Sequence, residues 1–158
     1  MSAPARAPRS KTIATWAALL GGTLGAHRLY LHGPRDPWAW AFWPPTLAGL
    51  WGVARMRSLG QDDQLAWALI PLLGLSISAA MLSAIVIGLT ADQRWAGRFG
   101  VPGQPPRPSG WGVVLAVVAA LMLGGASLMG TLAFGGQKYF EWQRSQADAE
   151  AAPRAAAR

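Results

Sequence analysis

Long apolar stretches alternate with short polar ones along this chain, and four stand out, at 12–31, 37–56, 65–90 and 110–136. Each matches or exceeds the roughly 20 residues that carry a helix across a bilayer. The pattern predicts an all-α fold, a polytopic membrane protein whose four transmembrane helices form two hairpins, 12–57 and 65–136. The first stretch is the weakest. Its uninterrupted apolar part ends at Ala26 after about 15 residues, or about 22 Å of helix, so it spans only if the helix continues through His27 to Leu31. A cleaved signal peptide is the alternative reading, because Arg6, Arg9 and Lys11 precede an apolar core. No small-x-small site with a polar mature start follows it, and the next stretch begins within a few residues, which favours a retained hairpin arm.

Boundary chemistry refines these elements. Asp36 is a candidate N-cap with Pro37 at the first helical position. Pro44 and Pro45 then free the carbonyls of Trp40 and Ala41, so a kink is expected in the second helix. Asp62 or Asp63 can cap the third, where Pro71 predicts a milder break. Prolines 102, 105, 106 and 108 make 101–109 an extended Pro-rich loop. Residues 1–11 read as a basic disordered tail, and 137–158 as a polar, partly helical one.

Composition points to lipid as the solvent. The chain is 52% hydrophobic and 13% charged, where soluble domains carry about 25% charge. Its net charge of +7 would suit nucleic acid, but the basic residues sit between apolar runs and form no continuous face. They read better as topology signals and headgroup contacts, so no nucleic-acid partner is expected. With no cysteine and two histidines, thiolate metal sites are excluded and no metal or cofactor is expected. Arginine in excess of lysine, with abundant Ala, Gly and Pro, suggests a GC-rich bacterial source and hence the inner (plasma) membrane. Arg6, Arg9, Lys11, Arg55, Arg57, Lys138 and Arg144 outnumber Arg28, Arg35, Arg94, Arg98 and Arg107 across the predicted spans, which favours cytoplasmic N- and C-termini. Tryptophans form two expected belts, Trp16, Trp51, Trp67 and Trp142 against Trp38, Trp40, Trp43, Trp95 and Trp111; gap-filling between helices is the alternative.

Three helices carry small residues at four-residue spacing: Ala14, Ala18, Gly22 and Ala26; Ser76, Ala80, Ala84 and Gly88; Gly112, Ala116, Ala120 and Gly124. Such rows let backbones approach closely in lipid, within one chain or between copies or partners. If the first helix continues, Arg28 also falls on a glycine-lined face, with Gly21 and Gly25. The expected partners of Arg28 are the freed carbonyls of Trp40 and Ala41, with Asp36 or Asp92 as the alternative. Snorkelling to headgroups is the plainer reading.

The segment Gly21-Gly-Thr-Leu-Gly-Ala-His-Arg-Leu-Tyr-Leu after Lys11-Thr-Ile-Ala resembles the hallmark of the TM-2 domain family over about residues 9–57. Gly22, Gly25, Ala26, His27, Arg28, Tyr30 and Leu31 match. Leu29 replaces the usual Phe, His32 precedes Gly33, and Ala54 and Arg55 stand where the family has an acid after a Trp. The resemblance implies a small integral membrane protein, in a family whose bacterial members mostly lack an assigned activity. The expected role is a non-enzymatic helix-packing scaffold or accessory subunit that meets the lipid bilayer and itself or another membrane protein. A small channel or transporter is the alternative. The acids fall at helix starts or in loops, without a nucleophile-base pair, so no catalytic residue is expected.

Overall fold

The computed structural model describes the backbone of residues 8–101 and 103–156, with side chains up to 149. Among these residues all the regular structure is helical, with seven α-helices. They are α1 (Lys11–Gly21), α2 (Ala26–His32), α3 (Pro37–Trp40), α4 (Trp43–Leu59), α5 (Gln64–Leu89), α6 (Asp92–Phe99) and α7 (Trp111–Ala156).

Two of them, α5 and α7, are long and apolar enough to cross a membrane. They pair antiparallel. Gly88 faces Val117, Gly124 faces Met81, Gly74 faces Thr131, and Lys138 lies over the Trp67 ring. Asp63 starts α5 by accepting from the Leu65 N–H, which satisfies one of the four orphan donors of a helix start. Pro71 removes one amide donor from α5 but does not end it. α7 is one helix from the end of the Pro-rich loop to Ala156, so the C-terminal segment expected to be partly helical extends the fourth apolar stretch without interruption.

The first half departs from the four-span expectation. The stretch 12–31 is not one helix: α1 ends at Gly21, a 3-10 turn covers Gly22–Leu24, and Gly25 takes φ +71° before α2 begins. Glycine adopts that left-handed conformation without the Cβ clash that penalises other residues. A Cβ there would also run into the carbonyl of Ala39. The chain therefore doubles back. Lys11 sits at Thr90, Gly22 against Ala80, and Tyr30 Oη accepts a hydrogen bond from the Ser10 N–H at 3.0 Å. α1 descends beside the last three turns of α5, and α2 returns toward its own starting end.

The second stretch also breaks. Pro44 and Pro45 fall within the first turn of α4, where a missing N–H costs nothing, and so they start a new helix at Trp43 instead of kinking an old one. α3 is a single turn capped by Asp36, which accepts from the Trp38 N–H at 3.1 Å. α4 packs antiparallel on the other half of α5, Gly49 on Leu73 and Gly52 on Leu69. α1 and α4 thus share one flank of α5, joined at half height where the Thr46 hydroxyl donates to Thr23 O (2.8 Å) and Trp43 Nε1 to Leu24 O (3.0 Å).

This route reverses one expectation about the ends. The Lys11 end lies with Thr90 and Ser109, whereas α7 finishes beyond Trp67 at the opposite end. The tryptophans regroup accordingly. Trp16, expected in the belt with Trp67, instead donates to Gly112 O beside Trp111.

Candidate functional site

Small residues build the seam that fixes the site. Ala14, Ala18, Ala80, Ala84, Ala116 and Ala120 are fully buried, and Ser76 nearly so. Gly22 and Gly88 are buried with them, while Ala26, Gly112 and Gly124 are half-buried. A Cβ on Gly22 would lie 2.6 Å from Ala80 Cβ, and one on Gly124 2.7 Å from Met81 Cβ. The three rows meet one another within a single chain. Gly49, Gly52 and Gly74 serve the same purpose; the Gly49-x-x-Gly52 spacing was the available signal for the first two.

On this frame, α2 and α6 flank the upper turns of α5 and leave a groove of about 450 Å³. Its floor is apolar, with Leu82, Val86 and Ile87 of α5. Its walls carry His27, Arg28 and His32 from α2 and Arg98 from α6. α6 is amphipathic, and its Trp95 is buried against Ala14 and Leu31. That packing, with Trp95 Nε1 donating to Arg9 O and the Arg9 N–H donating to Phe99 O (both 3.0 Å), holds α6 over the α1–α2 hairpin. Arg9, placed in the expected disordered tail, is ordered by these two bonds, and Ser10 caps α1. Residues 1–7 lie outside the described residues.

Arg28 finds a carboxylate rather than carbonyls. Its Nε donates to Asp36 Oδ2 at 2.9 Å. Among the described residues Arg28 makes no hydrogen bond to the carbonyls of Trp40 or Ala41, or to Asp92. The reason is the turn at Gly25. Because helix 1 does not continue, Arg28 points to the cap of α3, eight residues on, and the prolines begin α4 instead of exposing carbonyls inside a helix. His32 Nδ1 also approaches Asp36 Oδ2, at 3.6 Å.

His27 is 4% exposed, its ring edge-on to Phe42 at 5.7 Å. Its Nδ1 has no hydrogen-bond partner among the described residues. A buried polar atom left unpaired costs about 1–3 kcal/mol. Tyr30 is fixed by Ser10 and by the Arg9 guanidinium 5.7 Å over its ring.

Asp92 belongs to a different cluster. It pairs with Lys11 (Nζ to Oδ1, 2.9 Å) and accepts from the Ser109 N–H (2.8 Å) and hydroxyl. Lys11 Nζ also donates to Ser109 Oγ (2.8 Å) and to Thr90 O. The clasp ties the starts of α1, α6 and α7 to the end of α5. The Ser109 hydroxyl, the Lys11 ammonium and the Ser109 N–H together hold the Asp92 carboxyl down to about 2. At the other end, Asp63 takes Arg55 bidentately, at 2.7 and 3.2 Å. Among the described residues no three His, Asp or Glu side chains gather as a metal site.

No family model matches the chain, and no curated protein or solved structure is similar to it.

Proposed function

We propose that this chain is an integral inner-membrane protein that does no chemistry of its own and serves as a helix-packing scaffold or accessory subunit. The observation that carries the reading is the outward apolar surface of α5 and α7. Leu82, Val86 and Leu89 on α5 and Leu115, Leu121, Met122 and Met129 on α7 are all more than half exposed. A water-soluble bundle turns such residues inward, whereas lipid leaves no hydrophobic drive to do so. The small-residue rows are spent on the chain's own core, so a partner would meet the outward faces instead.

In this reading, α5 and α7 cross the bilayer and the α1–α2 hairpin enters only part-way before α4 completes the crossing. Non-helical backbone is tolerated at membrane depth where protein satisfies it, as Thr46 and Trp43 do for the carbonyls at the joint. The Arg28–Asp36 pair serves the same need for charge. The TM-2 resemblance belongs to this reading as well, with Gly25 as the turn of the hairpin.

A small channel or transporter is the second reading, favoured by the half-height break, because interrupted helices mark transport sites. The occupied carbonyls at the joint favour a fixed corner.

The absence of native cysteine makes single-cysteine labelling clean. In inner-membrane vesicles of both orientations, Pro8→Cys and Arg94→Cys should react with an impermeant maleimide from one side, and Arg57→Cys and Arg144→Cys from the other. Pairing of Pro8→Cys with Arg144→Cys would restore four spans, and release of the protein by carbonate would overturn the membrane reading. A strict monomer without partner in native gels would overturn the scaffold role.

A further inference from the structure

We propose that the groove between α2, α5 and α6 holds an anionic phospholipid, with its phosphate among Arg98, His32 and Arg28 and an acyl chain along Leu82 and Val86. The proposal rests on the membrane reading above. Three observations carry it.

Charge complementarity comes first. Two guanidinium groups and two imidazoles line one groove, and no acidic side chain lines it with them. Asp36, outside the lining, pairs with Arg28 at 2.9 Å and approaches His32 at 3.6 Å, whereas Arg98 makes no ion pair among the described residues and leaves the groove a net positive charge. Basic pockets between membrane helices bind lipid phosphates for this reason.

The second is shape. The charges stand above a floor of which Leu82 and Val86 are 61% and 60% exposed. The floor therefore opens sideways to lipid rather than inward, and its four-residue spacing lays an apolar strip about 6 Å long down the helix. A free phosphate has no use for that strip, and a zwitterionic lipid would bring its cation to the same guanidinium groups.

The third is His27. It lines the groove while 4% exposed, and its Nδ1 lacks a partner. That atom is closed off as the ring now sits, and rotation of the imidazole would bring it to a glycerol ester or phosphate oxygen.

The test uses the full chain in phosphatidylcholine nanodiscs doped with either phosphatidylglycerol or phosphatidylcholine carrying a photoreactive acyl chain, with crosslinks mapped by mass spectrometry. Both probes should label the outward face of α7 around Leu121 equally. The phosphatidylglycerol probe should label Leu82 and Val86 several-fold more than the phosphatidylcholine probe does. Arg98→Gln, an exposed change that spares the Asp36 pair, should cut that excess about fivefold, the effect of one basic residue at an anionic surface. Leu82→Trp should block groove labelling while α7 labelling persists. Equal labelling of the groove by both probes, or an excess unchanged in both variants, overturns the lipid site. Failure of either probe to label α7 would instead remove the membrane reading beneath it.

Discussion

The two halves of the molecule solve the same packing problem in opposite ways. The long helices α5 and α7 need little beyond a seam of small residues, because inside them, Pro71 apart, the backbone groups pair along the helix itself. Residues 11–59 form four helices joined by three breaks, which leave carbonyls and N–H groups for side chains to satisfy. Ser10, Asp36, Trp43 and Thr46 do this work, and Lys11, Arg28 and Arg55 lock the ends with carboxylates. Uninterrupted helices are held by shape, interrupted ones by shape and by specific polar bonds. Stability of the first half should therefore respond to single polar and backbone changes that the second half absorbs.

The sharpest contrast is between glycines. Gly25→Ala imposes a side chain at φ +71°, against a backbone carbonyl that cannot swing away. The left-handed conformation costs about 1–2 kcal/mol and overpacking about 1–3 kcal/mol more. Gly130→Ala in α7 meets open space and should be neutral or stabilising by up to about 1 kcal/mol. Detergent unfolding of the two variants measures the gap; equal behaviour would mean that the hairpin does not turn at Gly25.

Legibility followed the same divide. The apolar runs 65–90 and 110–136 lie within a residue of the start of α5 and α7, because length and hydropathy decide a helix that nothing interrupts. The three small-residue rows were visible as spacing, and the structure places most of them in the seam. The first half was misread at two points. Gly25 stands inside an apolar run that continues on both sides, and the Ala39 carbonyl that leaves no room for a Cβ there is fourteen residues on. In sequence Pro44 and Pro45 predict a kink, but whether a proline kinks a helix or starts one depends on where the previous helix ends. The Lys11–Asp92–Ser109 clasp joins residues 81 and 98 positions apart, and no local pattern encodes such a distance. For Arg28 the sequence makes snorkelling the plainer reading and offers four candidate partners; the turn brings it to Asp36.

The clasp gives the next test. Lys11 is 11% exposed at its side chain, so Asp92→Asn leaves a mostly buried ammonium without its counter-charge and should lower the unfolding midpoint clearly. The Asp92 carboxyl is held near 2 when folded, against an ordinary value of 3.8. Between those values the unfolded chain binds a proton that the folded chain does not, so this contribution is complete above 3.8 and fades as pH falls toward 2. The wild type should lose stability across that window more steeply than Asp92→Asn. Parallel curves would show that the clasp does not hold the first half to the second.

The smallest expected effect lies inside the long pair. Ser127 on α7 donates through its hydroxyl to Gly74 O on α5 at 3.0 Å, one of few polar bonds between the two helices. Pro71 and Gly74 lie a turn apart in α5, and Thr131, which would meet any Cβ at Gly74, donates back to Ser127 O at 2.7 Å. Interhelical bonds of this kind are worth about 0.6 kcal/mol in a membrane, because the separated helices find other partners. Ser127→Ala should therefore cost about that much, while Gly74→Val, which drives a branched side chain into Thr131, should cost several times more. If Ser127→Ala were the costlier of the two, the polar bond would outweigh the fit, and the long pair would be held by the same means as the broken half.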